Sequence, residues 1–285
     1  DLNSAPQSAD KEAVFLARNP SDRFEVSVRE FTQIPGSPLA FWISQSTRKA
    51  FDGTSSLSEY SKPLIGMRTG DNERFIRLWH EVATDTSSLC SESSAKWFPY
   101  MKGGEYRRWY GNNEYFVNWR DDGRDIKENT LRIYPELDWD NLGWKISNES
   151  SYFMEAITWT CVSTSPIAGR YVPEGALFDT GGSFIPFSEE VSNYLILCYL
   201  NSKPAQTFLD LINPTINYGS GTVGKLPWLT QDFPNALGNQ MVSKAKTDWD
   251  AYERSWDFQS LPILTAANEP TPTLESSYNA WITQN

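Results

Sequence analysis

Between Lys96 and Lys127, short aromatic runs (Trp97-Phe98-Pro99-Tyr100, then Trp109-Tyr110, then Tyr115-Phe116) are separated by Gly103-Gly104 and Gly111-Asn112-Asn113. The interruptions are too frequent for a long helix. They predict short strands joined as β-hairpins, because glycine and asparagine reach the left-handed backbone region that tight turns use. Lys96, Lys102, Arg107, Arg108, Arg120, Arg124 and Lys127 are interleaved with the rings. The remainder of the chain has to fold around a strand-rich, aromatic and cationic centre.

Upstream, residues 1–10 are polar and read as a frayed lead-in. Phe24, Val26 and Val28, with Phe31 past a break, alternate as in a strand, followed by a turn at Pro35-Gly36-Ser37-Pro38 and a helix start near Phe41-Trp42. A loop from Gly66 to Asn72 leads into Phe75–Trp79, which reads as a short helix capped by Asp71 or Asn72. A serine-rich linker, Thr86 to Ser94, follows. Trp144 to Thr164 and Arg170 to Phe187 read as short strands punctuated by Pro and Gly. Residues 189–212 switch to helical period, with Val191, Leu195, Cys198 and Tyr199 on one side and Phe208, Leu209 and Ile212 extending it. A further helix is expected from about Ala236 to Trp256, then a Pro-rich link, Glu269 to Thr273, and another helix start at Leu274. The pattern gives an α+β architecture: a strand-rich domain of mixed sheet and long loops, flanked by helices.

The 285 residues are 39% hydrophobic and 14% aromatic, enough to build a core and too aromatic for a disordered chain. No apolar run approaches the roughly 20 residues of a membrane helix, and no signal peptide begins the chain. Cys90, Cys161 and Cys198 are odd in number and form no CxxC pair, which suits a reduced cytoplasm. Asp1 in place of a starting Met, and an end inside a helical pattern, predict a piece cut from a longer polypeptide. The net charge of −11 weighs against a nucleic-acid partner. Its distribution is uneven: residues 64–132 hold 11 basic and 11 acidic groups, residues 133–285 hold 7 and 17. A cationic face is therefore available in the middle third, without long-range steering of DNA.

Motifs for self-contained catalysis are missing. Gly219-Ser220-Gly221-Thr222-Val223-Gly224 matches GxGxxG, but Leu226-Pro227-Trp228 follows at once and no acidic residue stands at the required distance, so a loop is expected. A base-flipping adenine methyltransferase loop needs Asn-Pro-Pro-aromatic, and Asn19-Pro20-Ser21-Asp22 and Asn213-Pro214-Thr215-Ile216 both lack the second proline and the ring. His80 stands alone, with no nucleophile elbow near it, and reads as a helix-face or partly buried side chain. Asp121-Asp122 and Glu189-Glu190 are adjacent, which on a strand turns the two carboxylates to opposite faces. Two readings besides DNA binding stay open on the residues alone. One is an aromatic-rich carbohydrate- or protein-binding module, whose affinity would ignore salt; the other is a hydrolase using paired carboxylates, whose rate would follow two carboxyl pKa values.

Several motifs together carry a resemblance. They are Gly66-x-x-Thr69-Gly70-Asp71-Asn72 with Phe75, Arg77 and Trp79; Lys96-Trp97-Phe98-Pro99-Tyr100 with Lys102-Gly103-Gly104; and Arg108-Trp109-Tyr110-Gly111-Asn112. Ala156-Ile157-Thr158-Trp159, Arg170-Tyr171-x-Pro173-Glu174-Gly175-x-x-Phe178-Asp179, Leu200-Asn201-Ser202-Lys203, Pro214-Thr215-x-Asn217 and Thr247-Asp248-Trp249-Asp250 continue it. The chain resembles the PglX family, the adenine-specific DNA methyltransferases of the bacterial BREX phage-defence system, which are similar to type IIL and other single-chain restriction-methylation enzymes.

The resemblance implies a parent enzyme whose N-terminal Rossmann-like domain binds S-adenosylmethionine and methylates adenine N6, while a downstream domain reads the DNA target. This chain looks like the downstream part: residues 1–62 a connector from the catalytic domain, 63–233 the target recognition domain, 234–285 a helical C-terminal segment. It implies no cofactor or catalytic residue in this segment. The implied partners are double-stranded DNA, the parent's own N-terminal domain and other BREX proteins. Arg68, Asn72, Lys102, Arg107, Arg108, Asn112, Asn113 and Arg120 are the candidates for base edges, because guanidinium and amide groups in turns can bond bases bidentately. Asn217, Ser220 and Thr222 are the candidates for the phosphate backbone, through main-chain amides.

Overall fold

The computed structural model describes residues 11–19, 25–89, 95–188, 192–228, 235–264, 266 and 273–284. The lead-in 1–10, Phe24, Pro20-Ser21-Asp22, Cys90, Glu189-Glu190, Val191 and most of the link 269–273 lie outside these residues.

The first helices are short and set by local caps. After α1 (Lys11–Ala17), the expected strand near Val28 is instead helix α2 (Val28–Phe31). The Ser27 amide donates to the Glu30 carboxylate and the Glu30 amide to the Ser27 carbonyl, a local exchange that outweighs the apolar alternation. The turn after it is as expected, with Gly36 at φ 88 and the Ser37 amide bonded to Ile34 O. The following helix starts later than Phe41-Trp42: α3 (Gln45–Lys49) is capped by Ser44, which accepts from the Thr47 amide at 3.1 Å.

Asp71 caps α4 (Asn72–Phe75), accepting from the Arg74 amide at 3.1 Å. The helix then stops, and β1 (Ile76–Leu78) replaces its expected second turn because Ile76 pairs with Val117, forty-odd positions away. His80 sits exposed on the next turn, edge-on to Trp79. The predicted hairpins reduce to one, β2 (Trp97–Met101) against β3 (Tyr115–Asn118), joined by a long loop over residues 102–114.

Helix α5 (Arg120–Ile133) was not foreseen. Asp121, Asp122 and Gly123 at its start all have positive φ, so the two carboxylates lie on a left-handed turn rather than on opposite faces of a strand. Downstream come β4 (Ala156–Thr158), β5 (Arg170–Val172), β6 (Leu177–Phe178) and β7 (Phe184–Pro186). The helical stretch that follows is two helices, α6 (Asn193–Leu200) and α7 (Lys203–Ile212). Asn201 ends the first and Ser202 caps the second, accepting from the Ala205 amide at 3.3 Å, with Pro204 in the first turn. We expect Ser202→Ala to lower stability by about 1 kcal/mol in chemical denaturation; no change would mean that Pro204 alone starts the helix.

The expected loop at 219–224 is one helical turn, α8 (Ser220–Gly224), preceded by an isolated bridge at Asn217 rather than by a strand. Helices α9 (Asn235–Asp250) and α10 (Leu274–Gln284) follow, α9 ending six residues before Trp256. No helix of the described residues is long and apolar enough to cross a membrane.

The strands form two sheets: a mixed one, ordered β1-β3-β2-β6 with β2 and β6 parallel, and an antiparallel one, ordered β5-β4-β7. Side chains alternate between the faces of the smaller sheet. Ala156, Val172 and Phe184 join the core shared with the mixed sheet, where Phe178 and Phe184 stack at 3.9 Å. Ile157, Trp159 and Ile185 face the helices, packing with Ile196, Leu200, Leu209 and Val223. That helical core also takes Leu57 from before residue 63 and Val242 and Trp249 from after 233, so all three expected segments share it. The fold is α+β.

Candidate nucleic-acid interface

Three of the sequence candidates meet at one concavity. Arg68, Asn72 and Lys102, with Asp71, Asp179 and Thr180, line a space of about 380 Å³ between the Gly66–Asn72 loop and the ends of β2 and β6. Its walls are main-chain pairings: the Met67 amide donates to Phe178 O at 2.8 Å, and the Thr180 amide to Met67 O at 3.2 Å. The Thr69 hydroxyl donates to the Asn72 side chain at 2.6 Å. Arg68 is exposed, with its guanidinium 4.5 Å from the centre of the Trp144 ring. The Lys145 ammonium lies 3.3 Å from the same ring and 3.6 Å from Tyr134. Such cation and ring contacts hold a planar guanidinium while leaving its N–H edge to solvent.

Asp179 anchors the floor. It accepts from Tyr100 Oη at 2.8 Å and from the Gly181 amide at 2.7 Å, and Lys102 Nζ lies 3.9 Å away. Burial, then the Asp179 charge, pushes the Tyr100 pKa well up, so the phenol keeps its proton and donates. The concavity presents Arg68 and Lys102 beside the acceptors Asp71 and Glu73, a mixed donor and acceptor lining rather than a uniform cationic patch.

Loop 102–114 sorts the remaining candidates. Arg108 is exposed, its guanidinium 5.5 Å from the centre of the Tyr106 ring. Arg107 is held internally: Nε donates to Tyr110 O at 2.8 Å, Nη2 to Asp248 at 2.6 Å and to Ala245 O at 3.3 Å, and the guanidinium covers Trp249. Asn112 and Asn113 are 5% and 2% exposed. Asn112, at φ 62, donates to Glu105 O at 2.8 Å and braces the loop from inside. The Asn113 amide is buried beside Tyr110. Asparagine in the left-handed region serves the turn whether its amide points out or in, and for Asn112 the Glu105 carbonyl decides.

The other candidates stand apart. Arg120 is exposed at the start of α5. Asn217 is exposed, its carbonyl accepting from the Asn213 amide at 2.6 Å. Ser220 and Thr222 are half-buried on α8, where the Thr222 and Val223 amides are bonded to Gly219 O.

Sequence reading overlooked Trp144, which positions Arg68, the clamp formed by Asp248 and Trp249, and Arg170, a fully buried guanidinium on β5. Arg170 alone left a legible trace, as a charge set directly before two strand-forming apolar residues.

No protein-family model matches the chain. An adenine-specific methyltransferase PglX of Lacticaseibacillus casei (strain Zhang) is 33% identical over 285 aligned residues, covering 95% of this chain. An adenine-specific methyltransferase BrxX of Escherichia coli O9:H4 (strain HS) is 35% identical over 238 residues, 82% of this chain. The chain spans 23% and 18% of the lengths of those two proteins. A solved structure of the type IIL restriction-modification enzyme MmeI in complex with DNA aligns at a TM-score of 0.41 and 13% identity, over 79% of this chain and 32% of that one. Over nearly its whole length the chain is thus a relative of one segment of the PglX and BrxX adenine-specific methyltransferases, the family its motifs resemble.

Proposed function

We propose that this chain is the DNA target recognition segment of an N6-adenine methyltransferase of a bacterial BREX phage-defence system. The observation that carries the proposal is the identity of 33% across 95% of the chain to an adenine-specific methyltransferase of which it matches less than a quarter. The geometry supports it: Arg68, Asn72 and Lys102 converge on one concavity, and Arg108 projects from the adjoining loop. These four residues are the proposed DNA contacts. Asn112, Asn113 and Arg107 shape the loop that carries Lys102 and Arg108.

Catalysis falls, in this proposal, to an N-terminal domain of the same polypeptide, in the cytoplasm, with other BREX proteins as further partners. The residues here do not fit S-adenosylmethionine: the glycine motif at 219–224 is a helical turn with no strand leading into it, so its amides are not presented as a dinucleotide-type cradle. We accordingly assign the methyl donor to the rest of the enzyme.

Duplex DNA affinity should fall steeply with salt, by a log–log slope of about −0.9 per phosphate contacted, whereas a sugar-binding module would be indifferent to salt. Arg108→Ala should weaken specific binding by about 1–3 kcal/mol with melting unchanged, since the side chain is exposed. Fluorescence anisotropy on a cognate duplex checks both. Salt-independent binding, or none, would remove the proposal, and an unaltered Arg108→Ala affinity would remove that residue from it.

A further inference from the structure

Arg170 on β5 is 1% exposed, and no carboxylate pairs with it among the described residues. Its contacts are all at the outer limit of hydrogen bonding: Nη1 lies 3.4 Å from the carbonyls of both Arg107 and Ala168, and Nη2 lies 3.5 Å from Thr160 Oγ1. Nε has no partner among the described residues. A guanidinium offers five N–H donors in a planar fork, and its charge-assisted bonds usually close to about 2.7–2.9 Å. Removing such a cation from water costs several kcal/mol, normally offset by an anion. Here the neighbouring charge is Arg107, of the same sign. Burial, and then that neighbour, push the Arg170 pKa down to about 10, which still leaves the group charged at neutral pH. The pocket around the fork is therefore deficient by one anion.

The fork lies close to the surface. Thr160 is half-buried, and its hydroxyl donates to Gly104 O at 3.0 Å, with Gly104 exposed. One hydroxyl thus links the guanidinium to the carbonyl of an exposed glycine. Gly103 and Gly104, at φ 93 and 112, put no side chain over this mouth. Lys102 and Arg108 stand on the same loop, before and after the two glycines in the sequence.

We propose that Arg170 anchors a phosphate-binding site beneath loop 102–114, entered between Gly104 and Thr160, and that its ligand is a phosphodiester of the recognised duplex. The anion takes over the donors that Thr160 Oγ1 and the Arg107 carbonyl reach only at long range. The phosphate chemistry stands on the geometry of Arg170; DNA as its source rests on the function proposed above.

The test uses the full chain with two probes: a cognate duplex, followed by anisotropy across a salt series, and inorganic phosphate, followed by thermal melting. Phosphate should raise the melting temperature of the wild type and leave that of Arg170→Gln unmoved. Arg170→Gln should lower duplex affinity about tenfold or more and reduce the salt slope by about one. Thr160→Val removes the hydroxyl that bonds Gly104 O and lies 3.5 Å from Nη2, leaves Arg170 itself in place, and should strengthen phosphate binding several-fold. This readout stands even if Arg170→Gln does not fold.

A salt slope that Arg170→Gln leaves unchanged, in a wild type that does bind duplex, overturns the site while leaving the proposed function in place. Stabilisation by phosphate through Arg170 in a chain that binds no duplex keeps the anion site and overturns DNA as its source. Unchanged phosphate affinity in Thr160→Val, together with an equal phosphate response in Arg170→Gln, overturns the anion site itself and makes Arg170 a brace for the carbonyls of Arg107 and Ala168.

Discussion

Trp159→Ala should lower the free energy of unfolding by about 4 kcal/mol, measured by chemical denaturation. Trp159 is fully buried just after β4, packed in the cluster that holds Ile157, Ile185, Ile196 and Leu209. It also carries a polar bond: Nε1 donates to Tyr218 O at 2.6 Å, and its own amide donates to Ser183 O at 3.1 Å. Alanine at this position leaves a cavity the size of an indole between the small sheet and the helices. It also leaves the Tyr218 carbonyl without its donor, and the two costs add. Trp159→Phe keeps most of the packing and loses the bond, so it should cost roughly half as much. A loss below about 1 kcal/mol for alanine would mean that the helices are not seated on this ring.

Gly66→Ala should cost about 3 kcal/mol and, on the proposed function, weaken duplex binding as well. A Cβ at residue 66 would stand 2.0 Å from Phe178 O, 2.3 Å from its carbonyl carbon and 2.8 Å from the Asp179 amide, all of them backbone atoms that no rotamer change can move. Relief requires separating the Met67 strand segment from β6, which breaks the bond from the Met67 amide to Phe178 O. That movement carries Arg68 away from Asp179 and opens the concavity. Gly221→Ala is the matched control, since nothing lies within 4 Å of a Cβ there, and it should be close to neutral. Equal melting temperatures for Gly66→Ala and the wild type would refute the close approach.

Sequence reading succeeded where structure is decided within a few residues. The Asp71 cap, the turn at Gly36 and the helices at Ala236 and Leu274 were all legible for that reason. It failed where a distant partner decides: α4 gives way to β1 because Val117 and Tyr115 offer a sheet edge that no local window contains. Two misses were legible after all. The Ser27-x-x-Glu30 capping pair lay inside the alternation read as a strand, and Ile126, Thr130 and Ile133 keep helical spacing behind the Asp121-Asp122-Gly123 turn that concealed α5. The candidate site divides in the same way. That Arg68, Asn72 and Lys102 share one wall follows from the pairing of Met67 with β6, and that Arg107 turns inward follows from its bond to Asp248 on α9, while Asn112 turns inward onto Glu105 O of its own loop.

The bond between Arg107 and Asp248 joins residues 141 positions apart. A ribosome adding about 5–20 residues per second makes Asp248 some 7–28 s after Arg107. During that interval the two sheets can form, since all of their strands precede residue 187, but the loop between β2 and β3 lacks its outer clamp. The clamp on this loop is thus made after the sheets it rests on. For those seconds a nascent chain holds its sheets without the Arg107–Asp248 clamp, so the loop that carries the proposed contacts Lys102 and Arg108 is shaped after its scaffold.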